Sequence, residues 1–78
     1  AASRYLVEMF FPPFPNGPTK YVRALRIPES EIEKDYRDYL SPDCLMYDYV
    51  MASDRFAAMR QLIKRFPQSG PVKMVNGW

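Results

Sequence analysis

The sequence predicts one small α+β domain in the order ββαβαβ, a four-stranded mixed sheet with two helices on one face. Three observations predict it. Four short runs have strand patterning, two stretches space their apolar residues as a helix does, and proline, glycine and asparagine punctuate the joins. At 78 residues there is room for a single domain, 1–78. A chain of that size buries only about 60–65% of its unfolded surface. A deep cavity would remove core from a fold with little to spare, so a surface function is expected over an enclosed active site.

Ala1-Ala2-Ser3 reads as a cloning remnant or as what a cleaved leader leaves behind. Tyr5 to Phe11 is the first strand, with Tyr5, Val7, Met9 and Phe11 on one side and Leu6, Glu8 and Phe10 on the other. Pro12, Pro13 and Pro15 end it, because proline cannot donate to a ladder, and Asn16-Gly17-Pro18 makes a turn. Tyr21 to Ile27 is a second strand, paired with the first as a long hairpin.

The first helix is predicted after Pro28. Ser30-Glu31-Ile32-Glu33 has a capping-box pattern, and Ile32, Tyr36, Tyr39 and Leu40 form one stripe. Ser41-Pro42-Asp43 stops it. Leu45 to Ala52 is the third strand. Ser53 is the expected N-cap of a second helix, with Asp54 at the positive end of its dipole. Phe56, Met59, Ile63 and Phe66 form its buried stripe with Leu62 beside them, and Pro67 and Gly70 close it. Val72 to Val75 is the last strand.

With both helices on one face, the other face is expected to be open. Burying an unpaired carboxylate is expensive, so the outer set is taken to be the one that carries both Glu8 and Asp48. That set places Leu6, Glu8, Phe10, Met46, Asp48 and Val50 on a largely apolar outer surface, the kind of patch that marks a contact with another molecule. The competing reading covers the patch with the proline-rich loop or the C-terminal tail. The predicted function is therefore a non-enzymatic protein–protein interaction module, either a homodimer or a small accessory or inhibitory subunit. Glu8 and Asp48 would set register against a basic group such as Arg26 of a second copy.

A nucleic-acid binder is the alternative. Net charge is only +2, but residues 55–78 hold five basic side chains and no acidic one, while residues 29–54 hold eight acidic and two basic. Arg55, Arg60, Lys64 and Arg65 on the second helix would form a basic face for phosphates. The low net charge and the carboxylates of the outer face weigh against it.

Catalysis has little to stand on. There is no histidine, which removes the commonest general base and metal ligand. There is no glycine-rich phosphate loop, and neither a metal site nor a cofactor is expected. Glu31, Asp35 and Asp38 are read as a solvated helix face paired with Lys34 and Arg37. Cys44 is alone and has no histidine to activate it. One cysteine and no signal peptide suit the cytoplasm, and no apolar run is long enough for a membrane span. Phe11-Pro12-Pro13-Phe14-Pro15 is read as a stiff hairpin loop rather than a ligand for a proline-binding groove. Of the tyrosines, Tyr36 and Tyr49 are assigned to the core.

Arg4-Tyr5-Leu6-Val7 and the strand–helix–strand from Val50 to Val75 loosely resemble the small linker domains of phycobilisomes. The resemblance covers about half of the chain and leaves the acidic middle without a counterpart. It implies a wedge between pigment-protein discs.

Overall fold

A computed structural model of the chain describes residues 1–14 and 17–78. Strand β1 spans Ser3–Phe10, β2 Lys20–Ile27, β3 Cys44–Ala52 and β4 Val72–Met74, and helix α1 spans Arg55–Arg65. The sheet order is β3-β1-β2-β4. β1 runs antiparallel to both neighbours, with Leu6 opposite Leu25 on one side and Tyr49 on the other, and β4 runs parallel to β2. The expected hairpin of β1 and β2 is therefore present. Gly17 sits at φ +67 in its connection, a conformation that disfavours side chains with a Cβ. Pro15 and Asn16, part of the expected turn, lie outside the described residues.

The first predicted helix does not form. Residues 28–43 instead carry two single 3-10 turns, Glu29–Glu31 and Arg37–Tyr39, closed by bonds such as Glu31 N–H to Pro28 C=O at 2.9 Å and Tyr39 N–H to Tyr36 C=O at 3.0 Å. Between them the Asp35 carboxylate accepts the Arg37 N–H at 2.9 Å and also grips the Arg37 guanidinium. A short acidic side chain that takes a nearby backbone N–H competes directly with the helical ladder. Of the expected stripe, Tyr36 is buried and Leu40 half-buried, whereas Ile32 and Tyr39 are each 45% exposed. The order is thus ββ, two 3-10 turns, βαβ, with one helix.

The two crossovers lie on opposite faces, not on one. β2, β3 and β4 are mutually parallel. The chain steps from β2 to β3 in one direction across the sheet, then from β3 to β4 in the other. Crossovers of one hand that step in opposite directions must pass over opposite faces, and that hand is nearly always right. α1 covers Tyr5, Val7, Met9, Val22, Ala24, Val50 and Ala52 through Ala58, Met59 and Leu62. Segment 28–43 covers Leu6 and Ile27 through Tyr36, with Leu25, Leu40, Tyr49 and Trp78 around them. The tail contributes to this second cover, as the competing reading anticipated. Each face of the sheet therefore carries a cover, although on the second face the β3 side chains Leu45, Tyr47 and Met51 stay exposed.

Helix α1 is capped by Asp54, not Ser53: the Asp54 Oδ1 accepts the Ala57 N–H at 2.8 Å. Its buried stripe is Ala58, Met59 and Leu62, with Ile63 half-buried and Phe56 and Phe66 exposed. The stripe rotates because the helix crosses β1, β2 and β3 together, and the small Ala58 allows close approach at the centre. No helix among the described residues is long and apolar enough to cross a membrane.

Candidate interaction surfaces

The six residues expected on one outer face are divided between two. β1 faces as predicted, with Leu6, Glu8 and Phe10 on the side away from α1. On β3 the assignment is reversed. The register sets Glu8 opposite Tyr47 and Val7 opposite Asp48, so Met46, Asp48 and Val50 lie on the α1 side. The sequence argument kept both carboxylates on one face. The fold instead gives each face one carboxylate and each carboxylate its own arginine, Glu8 with Arg23 and Asp48 with Arg65. Leu6, Glu8, Phe10 and Val50 are buried, and Met46 and Asp48 half-buried. The set is core, not an open surface.

Glu8 has no exposed surface, and its environment accounts for it. Oε1 accepts from Arg23 Nε at 2.9 Å and Oε2 from the Ser41 N–H at 2.6 Å. The Arg23 guanidinium is sandwiched between the rings of Phe10, at 4.6 Å, and Trp78, at 4.1 Å. A buried charge that is paired, hydrogen-bonded and stacked is a structural device that fixes segment 28–43 and the tail to the sheet. Cys44 lies beside it. Burial and then the Glu8 carboxylate push its thiol up to about 11, so it stays protonated at neutral pH and is a poor nucleophile.

The predicted basic face of the helix is thinned. Arg60 and Lys64 are exposed, but Arg55 is half-buried, and Arg65 is ion-paired with Asp48. Glu31, Asp35 and Asp38 do not share a helix face. Glu31 accepts a bond from the Tyr36 hydroxyl, and Asp35 holds Arg37.

Among the large apolar side chains left exposed, three stand in one row on β3, which with β4 is an edge strand of the sheet. Leu45, Tyr47 and Met51 are 43%, 40% and 55% exposed, with half-buried Tyr49 completing the row at alternate positions. Read outward from Asp48, the strand Leu45-Met46-Tyr47-Asp48-Tyr49-Val50-Met51 is the same in chemical type in both directions. Tyr pairs with Tyr, Met with Val and Leu with Met. This pattern was visible in the sequence, but its exposure depended on β3 being an edge strand. The strand's outer backbone is partly guarded. The Tyr49 N–H donates to the Asp48 carboxylate at 2.8 Å, and the Met51 carbonyl accepts from Gln61 at 2.9 Å. Such side-chain capping blunts open strand pairing and leaves the side-chain row as the available contact.

No known family model matches the chain, and neither a curated protein nor a solved structure matches it. The resemblance to phycobilisome linker domains therefore gains no support from these comparisons.

Proposed function

We propose that this chain is a non-enzymatic protein–protein interaction module that pairs with a second copy through the flank of β3. The observation that carries the reading is the self-complementary row Leu45, Tyr47, Tyr49 and Met51 on an edge strand. A two-fold contact places a patch against itself in reverse. Reversed about Asp48, this row sets Leu45 against Met51 of the second copy and Tyr47 against Tyr49. Those are the aliphatic and aromatic cross-pairs that stabilise packed strands. Tyrosines at the centre of the row suit the centre of an interface. Ile32 and Tyr39, exposed on segment 28–43, extend the apolar area. A stable contact of about 800 Å² per partner is a modest share of the chain's 5063 Å² surface. One thiol and no disulfide suit a reducing compartment such as the cytoplasm.

The test is the mass by light scattering after size exclusion, over a wide concentration range, for the native chain and for Tyr47→Lys. The expected result is a concentration-dependent dimer that resists salt and is lost in the variant. A monomer at every concentration up to about 1 mM would overturn the reading. So would a dimer that tolerates Tyr47→Lys.

A further inference from the structure

Two loops meet at the end of the sheet where β1 finishes and β2 and β4 begin. One joins β1 to β2, residues 11–19, and the other joins α1 to β4, residues 66–71. The Lys20 N–H donates to the Pro71 carbonyl at 3.0 Å, and a Cβ on Gly70 would stand 3.6 Å from the Pro18 carbonyl oxygen. Neither loop carries a charged residue. Between them they hold Pro12, Pro13, Pro15, Pro18, Pro67 and Pro71, which have no backbone N–H to desolvate. Phe14 is 92% exposed, more than any other large apolar side chain of the described residues, and it belongs to neither core cluster. The fold itself therefore makes no use of it. Phe66, at the head of the second loop, is also exposed.

Cations stand behind this uncharged tip. Lys20 and Lys73 open the paired strands β2 and β4, their Nζ atoms 5.7 Å from the Phe11 ring centroid and 5.9 Å from that of Tyr21. Lys64 is exposed in the last turn of α1, which runs toward the same end. None of the three forms an ion pair among the described residues, where the paired cations are Arg23, Arg37 and Arg65. At the opposite end, where β1 begins and β2 and β3 finish, Arg4, Arg26 and Arg55 are matched by Glu29, Glu31 and Asp54. The unbalanced positive charge lies beside the two loops, opposed there by Asp43, whose backbone carbonyl takes the Phe11 N–H.

We infer that this end of the domain docks on an anionic lipid bilayer, Phe14 and the prolines entering the interface and Lys20, Lys64 and Lys73 resting among the headgroups. An unpaired backbone N–H is costly in hydrocarbon, and a loop rich in proline has few of them. Each lysine near an anionic surface is worth about fivefold in affinity. A phenylalanine side chain leaving water is worth about tenfold or more. An apolar tip beneath a collar of cations matches a bilayer in order of depth, apolar interior first and anionic surface second. A nucleic-acid duplex would meet the same cations and leave Phe14 in water. The docking surface shares no residue with the pairing row of β3.

The experiment is cosedimentation of the full chain with vesicles of phosphatidylcholine alone and with about 30% phosphatidylserine, followed by NMR with a spin-labelled lipid. The chain is expected to bind the anionic vesicles at least about tenfold more tightly than the neutral ones, and to release them as salt rises. Phe14→Ser and Lys73→Glu should each weaken binding about tenfold or more. Both positions are exposed, so both variants should keep the fold, which their amide spectra check. Arg26→Glu makes the same charge change at the opposite end and should leave affinity within about twofold. The spin label should broaden the amides of Phe14, Gly17 and Gly70 and spare those of Asp54 and Arg55. No binding at about 1 mM lipid would overturn the inference. So would equal binding to neutral vesicles, native affinity in Phe14→Ser, or a loss in Arg26→Glu as large as that in Lys73→Glu. Retention of a short DNA duplex without vesicle binding would assign the cations to nucleic acid and overturn it as well. Light scattering of the lipid-free chain reads the β3 pairing separately.

Discussion

Glu8 and Arg23 face each other across β1 and β2, carboxylate to guanidinium at 2.9 Å, with Glu8 wholly buried and Arg23 21% exposed. Around this pair the chain closes one side of its sheet. The Ser41 N–H of the crossover segment binds the same carboxylate, and Trp78 of the tail stacks on the same guanidinium. Removing one partner leaves a buried charge alone. Arg23→Met is expected to cost about 3 kcal/mol or more in urea unfolding, whereas Glu8→Met with Arg23→Met together should recover much of that loss. A single-variant loss below about 1 kcal/mol would show that the pair does not hold the face together.

The chain has one tryptophan, so its fluorescence reports the tail directly. Trp78→Ala should destabilise the fold by about 1–2 kcal/mol through loss of the stack on Arg23 and of contact with Leu6, Ile27 and Tyr36. In Arg23→Met the emission of Trp78 should shift toward that of exposed indole under conditions where the fold persists. An unshifted spectrum would contradict the stack.

Two groups in segment 28–43 give stability a pH signature at opposite ends. The Tyr36 hydroxyl, donating to the Glu31 carboxylate and buried, is raised from its ordinary 10.0 to about 12. A group raised in the fold stabilises it below its unfolded value, so this contribution is present below about pH 10 and lost as pH climbs toward 12. Arg37, through hydrogen bonds to the Asp35 carboxylate, lowers Asp35 from 3.8 to about 2. That contribution is present above about pH 4 and lost as pH falls through 2. Tyr36→Phe should flatten the alkaline limb of a stability–pH profile, and Asp35→Asn the acid limb. Profiles unchanged by both variants would contradict the assignment.

Asp48 acts as a guard on the edge of β3. It caps the outward Tyr49 N–H and draws Arg65 to the strand. Asp48→Ala should change global stability by less than about 1 kcal/mol, since both partners are partly exposed. Its main effect should be concentration-dependent β-aggregation, measured by thioflavin fluorescence, because an unguarded apolar edge templates strand addition. A variant as free of aggregation as the native chain would remove Asp48 from that role.

Local chemistry was enough to find the strands. Alternation from Tyr5 and from Leu45, the prolines after Phe11 and the helix-start signal at Ser53-Asp54, though its cap was assigned to Ser53, set four strands and one helix within a residue or two of their observed ends. It misled at residues 29–40, where helical spacing of Ile32, Tyr36, Tyr39 and Leu40 coexists with Asp35, whose carboxylate takes the Arg37 N–H and leaves two 3-10 turns. The candidate surface failed for a related reason: an alternating strand has two faces, and its own residues do not say which faces what.

The sequence by itself determined the class of the domain, the lengths of its strands and the palindromic chemistry of Leu45 to Met51, because each depends on neighbours along the chain. Only the tertiary structure decided which faces are buried and that Glu8 and Asp48 lie on opposite sides. Those outcomes turn on strand order and crossover direction. Two parallel connections that step opposite ways across one sheet must cover both of its faces, and that constraint acts between residues far apart in sequence.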